Sequence, residues 1–341
     1  MDVIDAYGAD SLRYFLSTSG APGMDIRYNE EKIKSTWNFI NKVWNASRFV
    51  LLNTEDVKKY SFNNLNIQDK WILDKLNKTI REVRRHMEKY EFNVVGATLY
   101  DFIWSDFCDN YIELSKSSLE KIETKSTLLY VLEAILKMLH PFMPFVTEEI
   151  YQKFNEGSIM VSAWPKPLTL PKDEETLKKT SEKVDLMIDI ITAVRNIRAE
   201  KNVSPSKKIT LTLLCENENV KNELLTVQPF LERFTNYNVI NYITQNSENL
   251  PLDAVNKVLL KVTVVVPLND LINIDEEISK LQKEEIRLIQ EVERSNKMLN
   301  NQSFISKAPA EKVNAERAKL SQYEQQLNDV RELLKKIEKI S

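Results

Sequence analysis

Apolar residues recur at helical spacing along most of this chain. Ile33, Trp37, Ile40, Val43, Trp44 and Val50 fall three to four apart and predict one long amphipathic helix over 29–53. The same period returns over 68–89, 93–117 and 124–140. His140-Pro141 and Met143-Pro144 end the last of these, and 145–154 predicts a shorter helix. Four long helices with short joints predict a bundle. Ahead of it lie a short helical stretch around Asp10-Ser11-Leu12-Arg13 and a turn at Gly20-Ala21-Pro22-Gly23. Polar residues from Asn53 to Asn66 predict a loop, and Ser158 to Lys172, with Pro165, Pro167 and Pro171, reads as extended.

Beyond this point helix is expected from Glu174 to Lys201, and then the period shortens to two. Ile209, Leu211 and Leu213 alternate with Thr210 and Thr212, and 259–266 is a second β-branched run, with helix expected over 218–236 between them. The last stretch is heptad-patterned. Leu320, Leu327 and Leu334 repeat every seven residues, as do Tyr323, Val330 and Ile337. Ile274, Ile278, Leu281, Leu288, Val292 and Leu299 form a second seam, interrupted at Glu285 and Ser295. With Asn300 to Pro309 between them, the two seams predict an antiparallel hairpin, each arm reaching about 45 Å. The fold class is therefore mainly α: a helical bundle, a small α/β unit and a coiled-coil hairpin. The expected boundaries are 1–28, 29–172, 173–270 and 271–341.

Composition narrows the chemistry. The chain has only five glycines, none after Gly157, which argues against a Rossmann or phosphate-cradling loop. The net charge of −3 argues against a surface that coats nucleic acid, but not against a local basic patch. Cys108 and Cys215 stand apart, so neither a disulfide framework nor a zinc site is expected, and a reducing cytoplasm suits them. No apolar run is long enough for a membrane span, and Asp2 and Asp5 follow Met1 where a signal peptide would be apolar. The two histidines, His86 and His140, fit a solvated helix and a helix end better than catalysis, and no metal or nucleotide motif appears. The five tryptophans, Trp37, Trp44, Trp71, Trp104 and Trp164, are expected in the core, while Lys78, Arg81 and Arg85 suit a solvated helix face.

Several segments resemble known ones. Asp2-Val3-Ile4-Asp5 through Tyr7-Gly8-Ala9-Asp10-Ser11-Leu12-Arg13 resembles the stretch that follows the Lys-Met-Ser-Lys-Ser loop of class I aminoacyl-tRNA synthetases. Trp104-Ser105-Asp106-Phe107-Cys108-Asp109-Asn110-Tyr111-Ile112-Glu113 and Leu139-His140-Pro141-Phe142-Met143-Pro144-Phe145 resemble the anticodon-binding bundle of the valyl, isoleucyl and leucyl enzymes. The run from Trp37 to Phe49, Arg195-Asn196-Ile197-Arg198-Ala199-Glu200 and Phe304-Ile305-Ser306-Lys307-Ala308-Pro309 are similar to the valyl family in particular. Cysteine-rich zinc modules, typical of the isoleucyl family's end, are missing. So are the His-Ile-Gly-His and Lys-Met-Ser-Lys-Ser motifs and the editing domain. The resemblance therefore implies the part of a valyl-family enzyme beyond its catalytic domain. In it, 1–28 would be a linker remnant, 29–172 the anticodon-binding domain, 173–270 a junction and 271–341 a tRNA-binding arm.

The resemblance implies a whole enzyme that joins valine to tRNA with ATP, and a monomer acting on tRNA(Val) whose second and third anticodon letters are A and C. It implies no DNA partner and no membrane. No cofactor is expected in this stretch, ATP and magnesium belonging to the catalytic domain, so the stretch by itself should be inactive. Lys42, Asn45 and Phe49 lie at i, i+3 and i+7 on one helix face. They offer a cation for phosphate, an amide for a base edge and a ring for stacking, as an unstacked anticodon loop needs. The plainer alternative makes Phe49 core and Lys42 solvated, with Arg48 orienting the helix through an ion pair. Arg195 and Arg198 suit the end of their helix electrostatically or an ion pair with Glu200, and the resemblance leaves a tRNA contact open.

Between 294 and 319 the arm carries Arg294, Lys297, Lys307, Lys312, Arg317 and Lys319 against Glu311 and Glu316, a local charge of +4 in a segment from 271 to 341 that is neutral overall. A basic tip on a long lever suits an RNA backbone. It is also compatible with an ordinary solvated coil. The competing function is a helical adaptor whose coiled coil pairs with protein, and a different class I synthetase would share the bundle but not the arm.

Overall fold

A computed structural model describes the chain except residues 1, 21–22, 170–173, 245–252, 272–273, 302–308 and 339–341, and except the side chains of 174, 274–280, 310 and 335–338. The chain divides into two compact units, Met1–Ile188 and Asp189–Ser341. The division falls inside a helix and not at the proline-rich stretch before it.

The first unit is all helix. α1 (Asp2–Tyr7) and α2 (Ala9–Thr18) precede α3 (Glu30–Asn53), α4 (Ile67–Glu88) and α5 (Phe92–Asp101). α5 runs on through a π-helical stretch, Phe102–Tyr111, into α6 (Ile112–Ser115), and α7 (Ile122–Leu139), α8 (Pro144–Tyr151) and the first half of α9 (Glu174–Glu200) follow. The predicted 93–117 helix is thus present, loosened at its centre into π turns. Asn29 caps α3 by accepting from Lys32 N at 3.0 Å, and Asn66 and Asp69 form a capping box on α4. α3 buries Ile33, Thr36, Phe39, Val43, Ala46, Ser47 and Val50. That stripe is rotated away from the expected one. Trp37 and Trp44 are 42% and 43% exposed, Trp104 and Trp164 are half-buried, and of the five tryptophans only Trp71 is a core residue. Phe39 in place of Trp37 gives the regular spacing.

Segments far apart in sequence meet through polar groups. The Asp10 carboxylate accepts from Phe145 N at 3.3 Å and Val146 N at 2.7 Å, so an anion sits on the first turn of α8. Arg13 donates to Pro141 O at 3.3 Å and Tyr14 to Gly96 O at 2.8 Å, so α2 is packed against the bundle. His140 bonds Thr147 at 2.7 Å, and burial lowers its pKa. The Trp71 indole donates to Asp185 at 2.8 Å, tying the start of α9 to α4.

At the centre is Asp69. Its carboxylate accepts from Tyr111 Oη at 2.8 Å, Thr124 Oγ1 at 2.9 Å and Asn66 N at 3.1 Å, with no exposed surface. One side chain thus joins α4, the π stretch and α7.

The second unit holds the rest of α9 and a four-stranded sheet in the order β2-β1-β4-β3. The strands are β1 (Ile209–Cys215), β2 (Tyr237–Thr244), β3 (Ala254–Val258) and β4 (Val262–Pro267). β1 and β2 are parallel, joined through α10 (Glu218–Leu225) and α11 (Gln228–Thr235); β4 is antiparallel to both β1 and β3. The sequence pattern found β1 and β4 but missed β2 and β3. In β2 every residue is exposed or half-buried, so no apolar alternation marks it. α12 (Leu268–Leu271) follows, and then the arm, α13 (Ile274–Leu299) and α14 (Ala310–Glu338).

Asp106, on the π stretch, carries a carboxyl pushed up to about 6 by burial and by Asp185 and Asp101, against the pull of Lys75. A carboxyl with a raised folded-state pKa favours the fold while protonated and loses that contribution as pH rises from about 4 to about 6. Asp106→Asn should therefore stabilise the first unit by about 1–3 kcal/mol at pH 8 and by almost nothing at pH 4. Urea unfolding at the two pH values measures this; an equal effect at both would contradict it.

Candidate nucleic-acid interface

Lys42, Asn45 and Phe49 do lie on one flank of α3, facing the α5–π–α6 helix. Asn45 is exposed and Phe49 half-buried. Lys42 Nζ is 2.5 Å from Asp109 Oδ1 and 3.8 Å from the centroid of the Trp104 ring. Trp104 stacks on Tyr100 at 5.4 Å and 16°. Lys116, bonded to Glu113 at 2.6 Å, stands 5.8 Å from the Phe49 ring. Two rows of aromatic and charged side chains therefore line the flank, one from each helix. An exposed ion pair of this kind adds about 0–1 kcal/mol, so its importance is in where it fixes the two charges.

Sequence reasoning missed Asp109 and Trp104 on the π stretch, and Lys116 at the end of α6, as members of this site, because nothing local shows that they stand beside α3. On another flank Trp37, Trp44 and Arg48 are all exposed, and Arg48 makes no ion pair among the described residues. Cys108, next to Asp109, has its thiol pushed up to about 12 by burial, which keeps it protonated.

Arg195 and Arg198 part company. Arg195 is exposed, with its guanidinium 5.9 Å from the Phe234 ring. Arg198 is 5% exposed and donates to Ser204 O at 2.8 Å, Thr235 O at 2.9 Å and Asn236 O at 3.4 Å. It ties the end of α9 to the last carbonyls of α11, with Asn236 in the left-handed conformation beside it. Its guanidinium thus serves backbone carbonyls within the second unit, in place of the expected ion pair with Glu200.

In the arm, Val313, Glu316, Leu320, Tyr323, Leu327, Val330 and Leu334 are buried or half-buried, and every other residue whose exposure is described from Glu311 to Leu334 is exposed. From Leu320 to Leu334 the expected seam is present and reaches further toward the tip, while Ile337, and Ile274 and Ile278 of the other seam, lie outside the described side chains. Both interruptions of the first seam are matched across the pair: Ser295 donates to Glu316 at 2.8 Å in a buried contact, and Arg331 donates to Glu285 at 2.7 Å. Earlier residues of α13 thus face later residues of α14, which makes the pair antiparallel. Arg294 lies 3.1 Å from Glu291, and Lys297, Lys312, Arg317 and Lys319 are exposed. Lys307, and all of the Phe304–Pro309 motif but Pro309, lie outside the described residues. With Glu316 turned inward, the outer face near the tip is more basic than its composition. Ser295→Ala would leave a buried carboxylate without its donor, and should lower arm stability by about 1–3 kcal/mol. Amide hydrogen exchange should then quicken in α13 and α14 and stay at wild-type rates in the first unit; unchanged protection of the arm would refute the pairing.

Known proteins resemble this chain along most of its length. Residues 69–213 match the family described as the anticodon-binding domain of tRNA ligase, and residues 273–338 match the valyl tRNA synthetase tRNA binding arm. A valine–tRNA ligase of Bacillus anthracis is 46% identical over 350 aligned residues, which take in 99% of this chain and 39% of the relative. That of Bacillus subtilis (strain 168) is 44% identical over 338, covering 95% and 37%. The solved LeuRS–tRNA complex from Agrobacterium radiobacter K84 is a far looser match, with a TM-score of 0.41 and 14% identity over 73% of this chain and 30% of that one. The chain spans about 39% of the length of the relatives it matches. With both family matches in the right order and identity near 45% along nearly all its residues, the chain belongs to the valyl-tRNA synthetase family.

Proposed function

We propose that this chain is the tRNA-gripping part of a valine–tRNA ligase. The helical unit takes the anticodon loop of tRNA(Val), and the coiled-coil arm grips the body of the tRNA. The observation that carries this is the presence on one chain of an anticodon-binding match over 69–213, which takes in Trp104, Asp109 and Lys116, and a tRNA-arm match over 273–338. Aromatic rings, an amide and paired charges line the flank of α3, and exposed cations crowd the end of the arm. An adaptor would need only the apolar seam of the arm, and that seam is closed on itself.

On this reading the whole enzyme attaches valine to tRNA(Val) with ATP and magnesium in the cytoplasm. The present chain works as a monomer, supplies binding without chemistry, and takes neither DNA nor a membrane surface. No helix among the described residues is long and apolar enough to cross a membrane. Valine-dependent pyrophosphate exchange by the purified chain should stay at background, and exchange above it would contradict a purely binding role.

The arm makes a sharper test. Cations at its tip would meet phosphate and sugar, which position a tRNA without reading it. Reversing charge at Lys297, Lys312 and Arg317 together should weaken valine and non-valine tRNAs by similar factors. The slope of log affinity against log salt should become shallower by about 2–3, near 0.9 for each duplex phosphate that is no longer neutralised. Filter binding across a salt series reads both. If tRNA affinity survives the triple reversal unchanged, the arm serves something other than tRNA.

A further inference from the structure

The cation on the α3 flank is not free to meet a phosphate. Lys42 Nζ rests 3.8 Å from the Trp104 ring and 2.5 Å from Asp109 Oδ1, with the Asp109 side chain 50% exposed and that of Lys42 25%. The ring holds the ammonium in place, and Trp104 is itself held by its stack on Tyr100. A polyanion approaching this point meets a neutralised lysine and, standing further into solvent, a carboxylate that repels it. A surface built to hold backbone would carry no such acid.

A nucleobase is a different ligand. It is uncharged, and its edge presents hydrogen-bond donors beside acceptors. Lys42 offers only donors and Asp109 only acceptors, and they stand side by side, fixed before the ligand arrives. Exposed Asn45 lies three residues along the same face with an amide that does both, and Phe49 a turn beyond it supplies a ring. The Asp109 carboxylate weakens any general attraction to RNA while rewarding a base with an N–H in the right place, and specificity is often built by such a penalty on the wrong ligand.

We infer that Lys42 and Asp109 form a single base-reading pair, in which Lys42 donates to and Asp109 accepts from the edge of one unstacked RNA base, and that Lys42 is not a phosphate anchor. The inference rests on the tRNA-binding reading and deepens it, assigning to Asp109 a part in discrimination that the sequence alone did not suggest. Lys42 remains in the site but with another partner chemistry than the phosphate first expected for it.

The two roles of Lys42 separate cleanly in binding data. The probe is a set of RNA hairpins whose loops differ at one base at a time, titrated against wild type, Lys42→Gln and Asp109→Asn over a salt series. Thermal melting of each variant checks that it is folded. At one loop position wild type should favour its preferred base by about tenfold. Lys42→Gln should erase most of that preference and leave the salt slope as in wild type. Asp109→Asn should also erase it, but by binding every loop more tightly, because an unopposed cation then faces the RNA. A phosphate anchor behaves otherwise: Lys42→Gln would weaken all loops alike and make the salt slope shallower by about 0.7, and that result overturns the inference. Wild-type base preference in both folded variants also overturns it, since the pair would then merely join two helices. Failure of wild type to bind any hairpin or whole tRNA would instead remove the tRNA-binding reading, and this assignment with it.

Discussion

The buried carboxylate of Asp69 is the constraint around which the first unit is arranged. An ionised carboxylate costs several kcal/mol to take out of water unless donors replace its hydration. Here three do so, and they come from the start of α4, from Tyr111 at the end of the π stretch and from Thr124 on α7. Burial still outweighs them, for its pKa remains raised. Each donor is useful only if its helix sits at the right height, so the acid sets the axial position of three helices against one another. A purely apolar core would allow α7 or the π stretch to slide by part of a turn at little cost. That registration matters for the interface. Tyr111 ends the same π stretch that carries Trp104 and Asp109, and a shift there would part Asp109 from Lys42 across the groove.

The arm solves the same problem without a bundle around it. Two amphipathic helices with unbroken leucine seams can pair in several registers and with other chains. The breaks at Glu285 and Ser295 remove that freedom, because Glu285 must find Arg331 and Ser295 must face Glu316. A slip of one heptad away from the tip would bury Glu316 against Leu288. The polar pairs give up apolar contact in exchange for one register, and they do so within a single chain. This also places Glu316 on the inside, so of the two acids near the tip only exposed Glu311 stands among the cations.

Much of this was legible from residue order, and the failures have physical causes. Helix positions and the heptad seam followed from period alone, since both bury one face and expose the other. Among the described side chains the second seam differs in extent, stopping in the sequence reading at Leu320 although Val313 continues its heptad, because Glu316 between them does not look like core until Ser295 is set opposite. The tryptophans of α3 went wrong for a related reason. Trp37 and Trp44 look apolar, but the buried stripe of α3 takes in the small residues Thr36, Ala46 and Ser47 instead, which period alone does not favour over an indole. β2 escaped notice because a strand with no buried residue has no alternation to detect. Asp109, Trp104 and Lys116 could not be placed beside α3 from sequence, as the π turns alter which residues of that helix share a face. Arg198 looked like a surface cation in an arginine-rich motif, and only the left-handed turn at Asn236 shows why a buried guanidinium is needed there.

Charge and its distribution explain how an acidic chain can suit an RNA. A net charge of −3 gives no general attraction to a polyanion. On the tRNA-binding reading the work is divided between two kinds of surface. Cations near the arm tip face outward with few carboxylates between them, which suits contacts that depend on charge and ignore sequence. The α3 flank is close to neutral, each of its lysines already matched by an acid, Lys42 by Asp109 and Lys116 by Glu113. Such a surface has little to offer a backbone and depends on stacking and directed hydrogen bonds. A strongly basic flank would hold any loop presented to it, and discrimination between loops would then be a small difference between two large affinities. Keeping the flank neutral leaves affinity to the arm and lets the fit of individual bases decide which loop stays.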